Sequence, residues 1–94
     1  MSDLQARLDQ CSDILNEISA LERKATNKRV VSELSTIATF VQNGMVNLRA
    51  QRLDATNSSR VLAVADKAIE HARGEVAFVT KLLDEGGPGA AWPR

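Results

Sequence analysis

The chain has 94 residues, one domain's worth, and surface scaling buries about 64% of its unfolded surface, enough for one modest core and not for a deep multilayered cleft. Twelve basic and twelve acidic residues cancel, so the whole molecule exerts no long-range pull on nucleic acid or an anionic membrane. An apolar content of 44% disfavours disorder, and with only Phe40, Phe78 and Trp92 as aromatics the core must be aliphatic.

Charge is polarised along the chain. Residues 1–22 carry five acids and Arg7, whereas residues 23–60 carry seven bases against Glu33 and Asp54. The single cysteine excludes an internal disulfide and a Cys-rich zinc site, and Cys11 falls among apolar positions where an inert buried thiol is expected. The start "MSDLQARLDQ" has no basic-then-apolar leader, and no apolar run reaches the length of a membrane span. A cytoplasmic protein without membrane association is the expectation.

The first helix is predicted over residues 3–25. "SDLQ" fits a capping box, with Ser2 accepting from the first free amides and Gln5 reaching back, and Asp3 suits the positive end of the helix dipole. Leu4, Leu8, Cys11, Leu15 and Ile18 recur at helical spacing, with Ile14, Leu21 and Ala25 broadening the stripe. "KATNK" ends it, and Thr26 or Asn27 can cap the second helix, predicted over 28–53. There Val31, Leu34, Ala38, Val41, Met45 and Leu48 step by three and four, widened by Val30 and Ile37. The register runs unbroken through "NG" at 43–44, so one helix is expected, with Gly44 letting a neighbour approach. "DATNSS" is the next break. The third helix, predicted over 58–85, has the stripe Leu62, Ala65, Ile69, Ala72, Val76, Val79 and Leu83 and stops at "EGGPG".

No strand alternation appears. The expected fold is all-α over residues 1–85: a three-helix antiparallel bundle, or an extended helical hairpin completed by dimerisation. Residues 86–94 are expected to form a flexible tail.

No catalytic residue, metal site or cofactor is expected. His71 is the only histidine, and "HARG" places Arg73 two and Gly74 three residues after it. A histidine phosphotransfer domain would need a lysine three on and a glycine four on, and two residues along a helix is nearly its opposite side, so that activity is not expected. An exposed pair with Glu75 is the plainer role. Val64, His71 and Phe78, spaced by seven, would line a second stripe at the edge of a contact surface.

The second helix carries the functional signal. Between Arg29 and Arg49 only Glu33 is charged, and the positions off the apolar seam include Thr36, Thr39, Phe40, Asn43, Val46 and Asn47. Water-facing helix surfaces normally carry charge, whereas interface cores are depleted in it and enriched in aromatics. A helix sandwiched between two others, or a threonine-rich solvated face, would read similarly. Elsewhere, Asp9, Asp13 and Glu17 stack like charges on the first helix, most simply as a solvated row. Bases gather near the loops, as Arg23, Lys24, Lys28 and Arg29 at one and Arg49, Arg52 and Arg60 at the other. Split clusters of this size neutralise few phosphates, so nucleic acid is the lesser alternative partner. Trp92, on the tail, suits a short docking motif or packs back on the bundle.

These features describe a non-enzymatic helical protein-binding module (an adaptor, chaperone or inhibitor) that docks on a larger protein. Phe40, Val46, Thr36, Thr39, Asn43 and Asn47 form its first surface, and Phe78, Val64 and His71 a second. A homodimer is also expected, because heptad-like seams pair between chains as readily as within one.

Overall fold

The structure, a computed structural model, describes residues 3–52, 54 and 56–93. Three helices account for most of them: α1 (Asp3–Lys24), α2 (Lys28–Ala50) and α3 (Ser58–Gly86). Ser2, half of the expected capping box, lies outside the described residues, and the Gln5 side chain donates to Asp9 Oδ1 at 2.8 Å. Asn27 caps α2, its Oδ1 accepting from the Arg29 and Val30 amides at 2.9 and 3.2 Å. α2 ends at Ala50, short of the expected residue 53, and Leu53 lies outside the described residues.

Beyond α2 the chain is organised by two side chains. Asp54 Oδ1 accepts from the Thr56 amide (2.8 Å), the Thr56 hydroxyl (2.6 Å) and the Asn57 amide (3.1 Å). Asn57 in turn accepts from the Asp54 amide and donates to the Arg52 carbonyl, each at 3.0 Å. These bonds satisfy loop amides before α3 begins. They also hold the Asp54 carboxyl below its ordinary pKa, chiefly through the Thr56 hydroxyl and then the two backbone amides.

The three helices form one all-α bundle with up-down-up topology. Two ion pairs fix the parallel register of α1 and α3. Arg7 grips Asp66 with two bonds of 3.0 Å, and Lys24 reaches Asp84 at 3.3 Å, so the partners stand 59 and 60 residues apart at the two ends. The bond to Asp66 raises the Arg7 pKa further. α2 runs antiparallel to both.

The core is aliphatic and closed within one chain. α1 gives Leu8, Cys11, Ile14, Ile18 and Leu21; α2 gives Val30, Leu34, Ile37, Val41, Met45 and Leu48; α3 gives Ala65, Ile69, Ala72, Val76, Val79 and Leu83. The centre of the α2 seam is shifted from the expected one. Val30 and Ile37 are buried and Val31 and Ala38 are only partly so, because α2 packs against two helices and its buried arc is rotated accordingly. Since all three seams meet inside the chain, neither the hairpin completed by a second copy nor free seams for a homodimer is needed to explain the apolar pattern.

The molecule is a rod of 48 × 20 × 19 Å. Its accessible surface of 6100 Å² exceeds the ~5,300 Å² expected for a compact protein of this mass, and its radius of gyration of 14.9 Å exceeds the ~12 Å expected from its length.

The segment after α3, read from the sequence as a flexible tail, is tied to the bundle. Gly87 has φ +76°, a left-handed conformation suited to glycine, and its amide closes on the Leu83 carbonyl at 2.8 Å. The Pro88 carbonyl then accepts from both the Thr26 amide (2.8 Å) and the Thr26 hydroxyl (3.2 Å). A Cβ at Gly86 would lie 2.8 Å from the Ala90 Cβ, so only glycine permits this return path. Ala90 and Trp92 pack on the core.

Candidate functional site: a groove between α2 and α3

The off-seam residues of α2 are on the surface. Ser32, Ser35, Thr36, Thr39, Phe40, Asn43, Val46 and Asn47 are all exposed, which removes the sandwiched-helix explanation of their composition. Thr36 and Thr39 turn their hydroxyls back to the Ser32 and Ser35 carbonyls (3.1 and 3.0 Å). Glu33, the one charge on this stretch, is paired with Arg29 at 2.9 Å. This face therefore presents amides, methyls and one ring to solvent, without a free charge.

Four large apolar side chains are exposed among the described residues: Phe40 (46%), Val46 (62%), Val64 (64%) and Phe78 (43%). The structure divides them among three places. Phe40 and Val64 belong to one groove of about 570 Å³ along the α2–α3 seam. Its α2 wall is Phe40, Asn43, Gly44, Asn47 and Gln51, and its α3 wall is Arg60, Val61, Val64 and Ala68. Cys11 and Ile14 of α1 form part of the floor. Val46 and Thr39 point outward from α2, off the groove, six and one residues from Phe40. Phe78 stands on the same α3 stripe as Val64, toward the tail, where its ring meets Trp92 edge-on at 5.3 Å.

The groove exists because the seam is underfilled there. Ala65, Ala68 and Ala72 on α3 face a stretch of α2 that includes Gly44, and small side chains leave the space between the helix axes empty. A Cβ placed on Gly44 would meet nothing within 4 Å. The expectation that Gly44 admits a close neighbour is thus corrected: it leaves room at the lip of a trough. α2 passes through it without a break.

His71 lies beside the groove, against one of its walls. Its ring packs edge-on against Phe40, with centroids 5.7 Å apart and planes at 74°, and no His71–Glu75 ion pair forms among the described residues. The histidine is accordingly a packing neighbour of the exposed phenylalanine. Arg60 stands on the α3 wall. Cys11 is buried beneath, and desolvation pushes its thiol pKa up, with the Arg73 charge offsetting part of the rise. That suits a filler of apolar space better than a nucleophile.

Of the residues singled out from the sequence, Phe40, Asn43, Asn47 and Val64 line the groove and His71 touches Phe40 beside it. Val46, Thr36, Thr39, Phe78 and Trp92 are not among its lining residues. Gly44, Gln51, Arg60, Val61 and Ala68 also line its walls, though the sequence pattern marks none of them for the docking surface and Arg60 stands there only as part of a basic cluster. The acidic row of Asp9, Asp13 and Glu17 is exposed on α1, and among the described residues no three His, Cys, Asp or Glu side chains converge to hold a metal ion. In the basic cluster by the first loop, Lys24 and Arg29 are each engaged with a carboxylate. No helix among the described residues is long and apolar enough to cross a membrane. Comparison of the chain with protein-family models, with curated proteins and with solved structures finds no match in any of the three.

Proposed function

We propose that this protein is a non-enzymatic helical protein-binding module, an adaptor, chaperone or inhibitor, that docks on a larger protein through the α2 face. The observation that carries this reading is the exposure of Phe40 beside an unfilled apolar groove, on a helix face with no unpaired charge. The fold does not require that ring to be there, because the core closes beneath it. Partly exposed aromatics flanked by neutral polar groups are the composition of an interface core surrounded by its rim.

The test compares wild type with Phe40→Asp and Val46→Asp in quantitative capture of partners from the cells that make the protein. Loss of a captured protein by at least tenfold with Phe40→Asp, at unchanged melting temperature, is the expected result. A partner held equally by wild type and Phe40→Asp contradicts the assignment. Val46→Asp reports whether the contact wraps from the groove onto the outer face of α2.

A further inference from the structure

We infer that Thr26 and Phe78 form a docking site for a short extended segment of the form Pro-Gly-x-x-Trp, and that the chain's own residues 88–92 occupy it as a latch. The site lies at the end of the rod where α1 meets α2, and it is independent of the α2 face. The seated segment shows what the site takes. Pro88 and Gly89 are the centre of a turn closed by the Ala90 amide on the Gly87 carbonyl at 3.1 Å. Proline and glycine favour such positions by themselves, so the turn is largely preformed. It leaves the Pro88 carbonyl free to accept from both the amide and the hydroxyl of Thr26, at 2.8 and 3.2 Å. Four residues after Pro88, the Trp92 ring meets Phe78 edge-on at 5.3 Å. Residues 86–93 carry no charge, so the recognised groups are one carbonyl and one indole ring.

The site is held by the helices and not by its occupant. Asn27, next to Thr26, caps α2 with its own side chain, and Lys24 pairs with Asp84 across the same end of the bundle. Phe78 lies well inside α3. The occupant is held lightly by comparison. None of residues 87–93 is buried, and beyond α3 the segment's hydrogen bonds to another element among the described residues are the two from Thr26. Segments with so few buried contacts open locally, without unfolding of the whole.

The return path depends on glycine. Gly87 has φ +76°, and a Cβ on Gly86 would lie 2.8 Å from that of Ala90. Those two glycines serve to turn the chain back from α3, so a foreign segment can dispense with them. When the latch opens, Thr26 loses its acceptor, and Phe78, already 43% exposed, loses the ring packed on it. A segment of a partner protein with the same turn and ring then takes the vacated place.

The test uses the full-length chain carrying Gly86→Ala, which blocks the return path, and Trp92→Ala, which removes the ring. That double variant holds no tryptophan, so the emission of an added GPGAAWP peptide reports its own binding. A short tether supplies an effective concentration of about a millimolar, and the untethered peptide is expected to dissociate in about that range. The expected result is a saturable blue shift with amide chemical-shift changes at Thr26 and Phe78. Wild type, whose own segment competes, should bind the peptide at least tenfold more weakly by the same amide shifts. A peptide with alanine in place of tryptophan should not saturate. Should the double variant unfold, Trp92→Ala alone carries the same comparison, and unfolding of both overturns the inference by making the segment part of the fold. Absence of saturation, equal affinity for wild type and variant, a footprint away from Thr26 and Phe78, or equal binding of the tryptophan-free peptide also overturns it. So does dimerisation of wild type that Trp92→Ala abolishes, which would seat the segment on a second copy. None of these outcomes alters the effect of Phe40→Asp on partner capture, so failure here and failure of the α2 docking face are read separately.

Discussion

At the scale of single residues, Gly44 separates what the fold needs from what the surface offers. A glycine in a helix interior costs roughly 0.5–1 kcal/mol relative to alanine, and a Cβ here meets open space. Gly44→Ala is therefore expected to stabilise the protein by about that amount, read as a higher midpoint in urea with an unchanged slope. No gain would mean that the space is occupied or the local backbone strained. Asp54 supplies a titratable counterpart. Its folded pKa lies below the unfolded value near ~3.9, so its contribution to stability is complete above that pH and is lost as pH falls through the depressed value. Stability curves of wild type and Asp54→Asn are expected to converge in that acid window and to separate above it, wild type being the more stable. Curves that stay parallel through the window contradict a role for the ionised carboxylate.

At the scale of elements, the segment after α3 acts as a strap. Its hydrogen bonds to Thr26 and the edge-on contact of Trp92 with Phe78 join the end of α3 to the α1–α2 connection. Aromatic pairs of this kind contribute about 0.5–1.5 kcal/mol beyond area burial. Trp92→Ala is expected to cost about 1–2 kcal/mol, counting the half-buried ring's lost apolar area. Hydrogen exchange at the Thr26 amide, which donates to Pro88, should accelerate more than exchange at the α2–α3 groove. Equal acceleration everywhere would show that the strap is part of the global fold and not a local closure. None of the described residues of the strap lines the groove.

At the scale of the whole molecule, stability and docking reside in different residues. Ile18, Val30 and Leu34 are fully buried at the junction of the three helices. Leu34→Ala is expected to cost 2–5 kcal/mol, a large part of the ~5–15 kcal/mol available to a domain, and to lower the denaturation midpoint sharply. Phe40→Asp removes a ring that is 46% exposed and should cost far less, so loss of partner binding by that variant is separable from loss of folding. A midpoint that falls as far for Phe40→Asp as for Leu34→Ala would show the ring to be core and withdraw the docking surface.

The sequence by itself determined the three helices, the breaks between them and most of the buried set, because a long 3.6-residue apolar period admits one answer when no strand pattern competes. It also singled out α2 as poor in charge and Phe40 as out of place, since both are properties of residue order along one helix. What it could not determine was how the helices turn about their axes when each meets two neighbours. That rotation buried Val30 and Ile37 in preference to Val31 and Ala38. It also joined Phe40, Val64 and His71 in one place while turning Val46 away. The groove is a still clearer case: it is space left by Gly44 against Ala65, Ala68 and Ala72, four small residues that carry no signal individually and acquire meaning only when two helices bring them face to face. The strap belongs to the same class, because "GGPGAAWPR" has the composition of a free tail and is held by a carbonyl that meets Thr26 more than sixty residues away in the chain.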